Sequence, residues 1–168
     1  MPAITPIAAD NQIRHAFGHF PSGVTAVCAE IDGEKIGLAA SSFTGVSLEP
    51  ALVSVCMQHS STTWPRLRTA KRLGLSVLAE GHDAICGRLA SKNGDRFAGT
   101  DVTVDGDGSL FIDGASLWLD STIYAELPCG DHDIVVLQVH GAWTGTASPL
   151  VFHGSRFRRL AALEGAAL

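Results

Sequence analysis

At 168 residues, 46% of them hydrophobic and only 17% charged, the chain fits one domain that can bury its own core without covalent staples. A net charge of −5 offers no basic field for phosphate backbones, which argues against a nucleic-acid partner. The opening MPAITPIAADNQ has no basic segment before an apolar core and does not read as a signal peptide. The longest apolar run, IVVLQV at 134–139, falls well short of the roughly 20 residues a membrane span needs, so no membrane association is expected.

In chain order, residues 1–9 read as a flexible N-terminal arm. Asp10 is placed to cap a short helix over about 11–19, with Ile13, Ala16, Phe17 and Phe20 at helical spacing. VTAVCAEI (24–31) and KIGLAASSF (35–43) flank Asp32-Gly33, which predicts a β-hairpin. ALVSVCM (51–57) is a third apolar strand. TTWPRLR predicts a short helix with Pro65 in its first turn and a cap from Ser60, Ser61 or Thr62. RLGLSVL (72–78) is a strand and GHDAICGRLA (81–90) a helix. Residues 91–109, rich in Gly, Asp, Asn and Ser, read as an exposed loop. LWLDSTIYAELP (117–128), DIVVLQVHGAWTGT (133–146) and PLVFHGSRFRRL (149–160) are strands again, the first two joined by a tight CGDH turn. A mainly β, antiparallel barrel, closed or partly split, with a few short helices follows from this order. One domain spans 10–162, and 163–168 form a tail.

Cys28, Cys56, Cys86 and Cys129 lie far apart, with no CxxC and no Cys/His pair at zinc spacing. They read as reduced structural thiols of a cytoplasmic protein. His15 and His19 stand i, i+4 on the first helix, but no third metal ligand is evident, so no metal is assigned.

GxGxxG, Walker A, GxSxG and HExxH motifs are all absent, so a nucleotide site here is neither a Rossmann nor a P-loop site. Ser41-Ser42-Phe43-Thr44-Gly45-Val46-Ser47 is a dense run of small residues. It is either a Ser/Thr-rich turn or a lining that lets a flat ligand reach the backbone. Ser60-Ser61-Thr62-Thr63 opens a helix and reads either as ordinary capping or as a phosphate site. KNGDRFAG (92–99) offers Lys92 and Arg96 for phosphate and Phe97 for stacking. Gly130-Asp131-His132-Asp133 sets an imidazole between two carboxylates, either as a functional group or as an exposed turn histidine.

Together, FGHFPSGVTAV (17–27), GLAASSFTGVSLEPALVSVCM (37–57), HSSTTWPRL (59–67), GDRFAG (94–99), GDH (130–132) and FHGSRFRRL (152–160) resemble, in order and spacing, the flavin reductase-like family. The resemblance covers about residues 12–160. It implies an FMN-binding split β-barrel of Greek-key type, working as an NAD(P)H:flavin oxidoreductase. Such an enzyme reduces FMN or FAD with NADH or NADPH and passes free reduced flavin to a partner monooxygenase. A homodimer is also implied.

Carried over residue by residue, the resemblance implies that Ala39, Ala40, Ser41, Ser42 and Phe43 line the ring edge, with Ser47 supporting a turn. Cys56 lies beside the ring, and Ser60, Ser61 and Thr62 hold the phosphate. Arg96 and Phe97 close over the flavin, and Phe152 to Phe157 approach the same pocket. His132 is the one catalytic residue implied, at the nicotinamide. Serine at position 41 departs from the family's usual asparagine, which shifts the expected contacts toward backbone, and Gly45 loosens the following turn. The alternatives are a related split-barrel flavin oxidase, disfavoured for want of an Arg/Lys phosphate cage, and a non-catalytic, redox-sensing flavin module.

Overall fold

A computed structural model describes residues 10–161 together with Ile4 and Pro6. Most of the expected arm at 1–9, the tail at 163–168 and the capping side chain of Asp10 lie outside the described residues. The elements run α1 (Asp10–Phe17), β1 (Ser22–Gly23), β2 (Thr25–Ile31), β3 (Glu34–Ala40), β4 (Thr44–Leu48), β5 (Ala51–Gln58) and α2 (Trp64–Leu67). Next come β6 (Leu73–Val77), α3 (Asp83–Ala90), β7 (Val102–Val104), β8 (Leu110–Ile112), β9 (Leu117–Cys129), β10 (His132–Thr144), β11 (Val151–His153) and β12 (Arg156–Arg158). Among the described residues no helix is long and apolar enough to cross a membrane.

Seven strands form one antiparallel sheet in the order β3-β2-β6-β9-β10-β5-β4. β3 and β4 are consecutive in sequence yet stand at opposite ends of that order. Laid flat, six strand spacings would separate them by roughly 29 Å. Residues 41–43 between them reach at most about 14 Å. The sheet therefore curls until its ends meet, and β3 comes into contact with β5. This is a barrel split along the β3–β4 gap.

Inside it lies a core of Val27, Ala29, Ile36, Val55, Leu75, Val135, Leu137 and their neighbours. The opposite face of β2 is buried as well. Ala26 and Cys28 join Ile85, Cys86 and Leu89 of α3 with Phe97, Leu110 and Ile112 in an outer core. Burial pushes the Cys28 thiol far above its usual range, and Cys86 is raised for the same reason.

Asp32 and Gly33 both have positive φ, +52° and +76°, as a two-residue hairpin with primed-turn geometry requires. The expected helix over 11–19 ends earlier, at Phe17. The expected turn at 44–47 is the edge strand β4, paired to β5 with a bulge between Gly45 and Ser47. The 91–109 segment is not all loop. β7 pairs with β8, and Ser109 is fully buried, donating to Asp120. The last predicted strand is a β11–β12 hairpin, and β1 pairs with β11 to form a separate small sheet.

Two cysteines do not fit the expectation of structural thiols: Cys56 and Cys129 are exposed. His15 and His19 pack edge to face at 5.2 Å, and no metal-holding cluster of His, Cys, Asp or Glu occurs among the described residues.

Candidate active site

Where the barrel splits, the edge of β3 is left without a second strand, because β3 pairs only with β2. In an antiparallel ladder alternate residues turn both N–H and C=O outward. The Gly37 carbonyl accepts from Arg96 Nη1 at 2.7 Å, so Gly37 is one of the outward residues. Alternation makes Lys35 and Ala39 the others. The opposite partner agrees: Glu30, paired with Lys35, sends its N–H away from β3 to Gly108. The open edge at Ala39 therefore offers one donor and one acceptor side by side.

That edge forms one wall of a cleft of about 410 Å3. Leu38 to Ser42 line one side, Cys56 to Gln58 the end of β5, and Ser60 to Thr63 the far wall, with Lys92, Arg96 and His132 at its margins. Ser42 Oγ accepts the Cys56 N–H at 2.8 Å and ties the 41–43 crossing to β5. Ser61 Oγ accepts from the N–H groups of Thr63 and Trp64 at 3.3 and 3.1 Å, so its lone pairs serve the start of α2. α2 is only four residues long and its macrodipole is correspondingly small. The charge for an anion comes instead from Lys92 and Arg96.

Arg96 is braced on both sides, since Nη1 also donates to Thr63 Oγ1 at 2.6 Å. Phe97 holds the loop from beneath. Its ring is 7% exposed and packs in the outer core, not over the cleft as the sequence suggested. A Cβ at position 37 would come within 2.6 Å of Cys28 Sγ and 2.8 Å of Phe97 Cζ. Glycine there lets the loop press against β3, which sets Arg96 at the lip.

Opposite Gln58 of β5, two residues before Ser60, His132 opens β10, and its Nδ1 lies 2.7 Å from Asp131 Oδ1. The hydrogen bond to His132, then its charge, holds the Asp131 carboxyl below the usual carboxylate range. Next to it, His59 Nε2 lies 2.9 Å from Asp133 Oδ1, and the His59 N–H donates to the Asp131 carbonyl. A second, largely apolar hollow of about 270 Å3 adjoins Ala39 to Ser41, where Phe152 and Phe157 face each other at 5.6 Å.

Of the residues singled out from sequence, Ala39 to Ser42, Cys56, Ser60 to Thr62, Arg96 and His132 thus converge on one cleft, and Phe152 and Phe157 border it. Phe43 and Ser47 are not in its lining: Phe43 packs against the inner core and Ser47 sits on β4. Thr63, which holds Arg96, was left out of the residues assigned to flavin, although the hydroxyl run at 60–63 already included it.

Fold and cleft define a split-barrel protein whose open strand edge, hydroxyls and one guanidinium face a single cleft. The chain belongs to the flavin reductase like domain family, which matches residues 17–161. It is 39% identical over 124 residues to a flavin reductase of Pseudomonas putida, covering 73% of each protein. It is 34% identical over 165 residues to the actinorhodin polyketide dimerase of Streptomyces coelicolor, covering 95% of this chain and 92% of that one. The solved NADH:FAD oxidoreductase SgcE6 of Streptomyces globisporus, in complex with NAD and FAD fragments, superposes with a TM-score of 0.85 at 34% identity. That match covers 90% of this chain and 92% of the other.

Proposed function

We propose that this protein is an NAD(P)H-dependent flavin reductase that hands reduced flavin to a partner monooxygenase. One observation carries the reading. The cleft joins an unpaired strand edge, suited to the polar edge of a flat heteroaromatic ring, to hydroxyls and a braced guanidinium suited to a phosphate. Bound flavin would supply the redox chemistry, accepting at N5 the hydride and its two electrons from nicotinamide C4, which leaves oxidised nicotinamide.

The protein's part is positioning. Ala39 holds the ring edge through its backbone, and small side chains at 39–42 admit the ring face. Arg96 and Lys92, with Ser60 and Thr62, hold the phosphate. Phe152 and Phe157 close the apolar side, and His132, steadied by Asp131, orients the nicotinamide where the two rings must meet at about 3–3.5 Å. No general acid or base is required. At position 41 the serine contributes mainly backbone.

The protein acts in the cytoplasm as a homodimer. Exposed Val46 and Leu48 on the edge strand β4 are part of the surface a second copy would cover.

Oxidation of NADH and NADPH, followed with and without added FMN, FAD or riboflavin, tests the reading. Flavin-dependent oxidation supports it; bound flavin without turnover makes the protein a sensing module instead.

A further inference from the structure

The turn that carries His132 is tied down by a residue with no part yet in the site. In the β5–β10 ladder His132 pairs with Gln58 and Asp133 with Met57. The His59 N–H adds one more rung, donating to the Asp131 carbonyl at 2.9 Å. His59 thus stands opposite Asp131 and diagonal to Asp133, within reach of a long side chain on the same face of the pair. Its imidazole closes that diagonal, with Nε2 2.9 Å from Asp133 Oδ1. An ionised carboxylate only accepts, so Nε2 is the donor.

The links differ in what they restrain. Gly130 and Asp131 alone join Cys129 to His132, which pair with each other, and both tip residues are exposed. The bond between Asp131 and His132 joins neighbours within this tip. It orients the imidazole but does not fasten the tip to the barrel. His59 supplies that fastening twice, by main chain at Asp131 and by side chain at Asp133. Its own segment is turned tightly, since the Ser61 N–H donates to the Gln58 carbonyl at 2.9 Å, and it runs on into the cleft wall at Ser60 to Thr63.

Building on the reductase reading, we propose that His59, through Asp133, is a positioning residue that holds the 130–132 tip so that His132 meets the nicotinamide. His59 itself touches neither ring. Its effect is geometric, and geometry is costly here, because a misplacement of about 1 Å can cost about 100-fold in rate.

A double-mutant cycle on the full chain tests this. His59→Phe keeps a ring and loses the donor. It is expected to lower kcat/KM for NADH about three- to fivefold, the scale of one hydrogen bond, with FMN affinity within about twofold of the parent. His59→Gln, whose amide still donates to Asp133, is expected to recover most of that loss. In a His132→Ala background His59→Phe is expected to cost nothing further, because the side chain it positions is gone. A second readout needs no flavin. The Asp131 carboxyl is held below its ordinary 3.8 chiefly by the hydrogen bond to His132, so a loosened tip raises it. By NMR it is expected to titrate closer to 3.8 in His59→Phe than in His59→Gln; both variants lack the imidazole charge, so the comparison isolates the hydrogen bond. Equal losses from His59→Phe in both backgrounds overturn the inference. So does FMN affinity that falls in parallel with kcat/KM, or an Asp131 titration that is the same in the two variants. A parent protein that reduces no flavin with NADH defeats the reductase reading and the positioning role together, whereas additivity in an active parent defeats the positioning role alone.

Discussion

Two parts of the proposed flavin site are built differently. At the proposed phosphate contact, Arg96 makes two hydrogen bonds, Phe97 is buried in the outer core, and Gly37 leaves the room that lets them close on β3. The guanidinium there is fixed before a ligand arrives. At the proposed nicotinamide contact, the His132 side chain has only Asp131 as a hydrogen-bond partner among the described residues, it is half-buried and Asp131 exposed, and the aromatic pair sits on a small separate sheet. A preorganised contact lowers the cost of ordering a flavin, whereas a looser one lets a second substrate come and go. The contrast suits an enzyme in which the nicotinamide is consumed and replaced at every turnover.

Substitutions sharpen this contrast. The largest effect is expected from Phe97→Ala, which removes a buried aromatic and should lower stability by about 3–5 kcal/mol in denaturant unfolding. Flavin affinity should fall with it as the Arg96 loop loosens; undiminished stability would show that the loop is not braced by that ring. Next, Arg96→Ala should weaken FMN about 10- to 100-fold, the scale of a lost hydrogen bond to a charged group, and riboflavin much less. Equal losses for both would mean that Arg96 shapes the cleft without touching phosphate.

His132→Ala should lower kcat/KM for NADH about tenfold while FMN titrations stay near the parent value. Parallel loss of flavin binding would erase the distinction between the two contacts. The smallest effect concerns Glu34, whose carboxyl the Arg66 hydrogen bond, and then its charge, hold below the ordinary 4.5. Because that pKa is depressed, the pair's contribution is present above 4.5 and is lost as pH falls through the lower folded value. Arg66→Ala should return the Glu34 titration, followed by NMR, toward 4.5, with little change in melting temperature because the pair is exposed.

The hairpin at Asp32-Gly33 and the long β9–β10 pair were legible because turn chemistry and apolar runs are local signals. The members of the cleft could be named for a different reason: their segments follow a family order, although each alone reads as a turn or a cap. What stayed hidden depends on distant neighbours. β4 is short and almost wholly exposed, and it exists because β5 offers it an edge. Phe97 sits in a loop of polar residues, and only α3 and the space above Gly37 decide that it is buried. The outward turn of Lys35, Gly37 and Ala39 follows from pairing register, which no single segment of sequence states. β7 and β8 are three residues each, too short for periodicity to register.

The central claim is that the split-edge cleft holds a flavin for reduction by a nicotinamide. Anaerobic mixing of the purified protein with NADH and FAD, watched through the visible flavin absorbance, tests it most directly. Rapid bleaching that depends on the protein, and slows in the His132→Ala variant, is the predicted result. Bleaching no faster than in NADH and FAD alone would contradict the account.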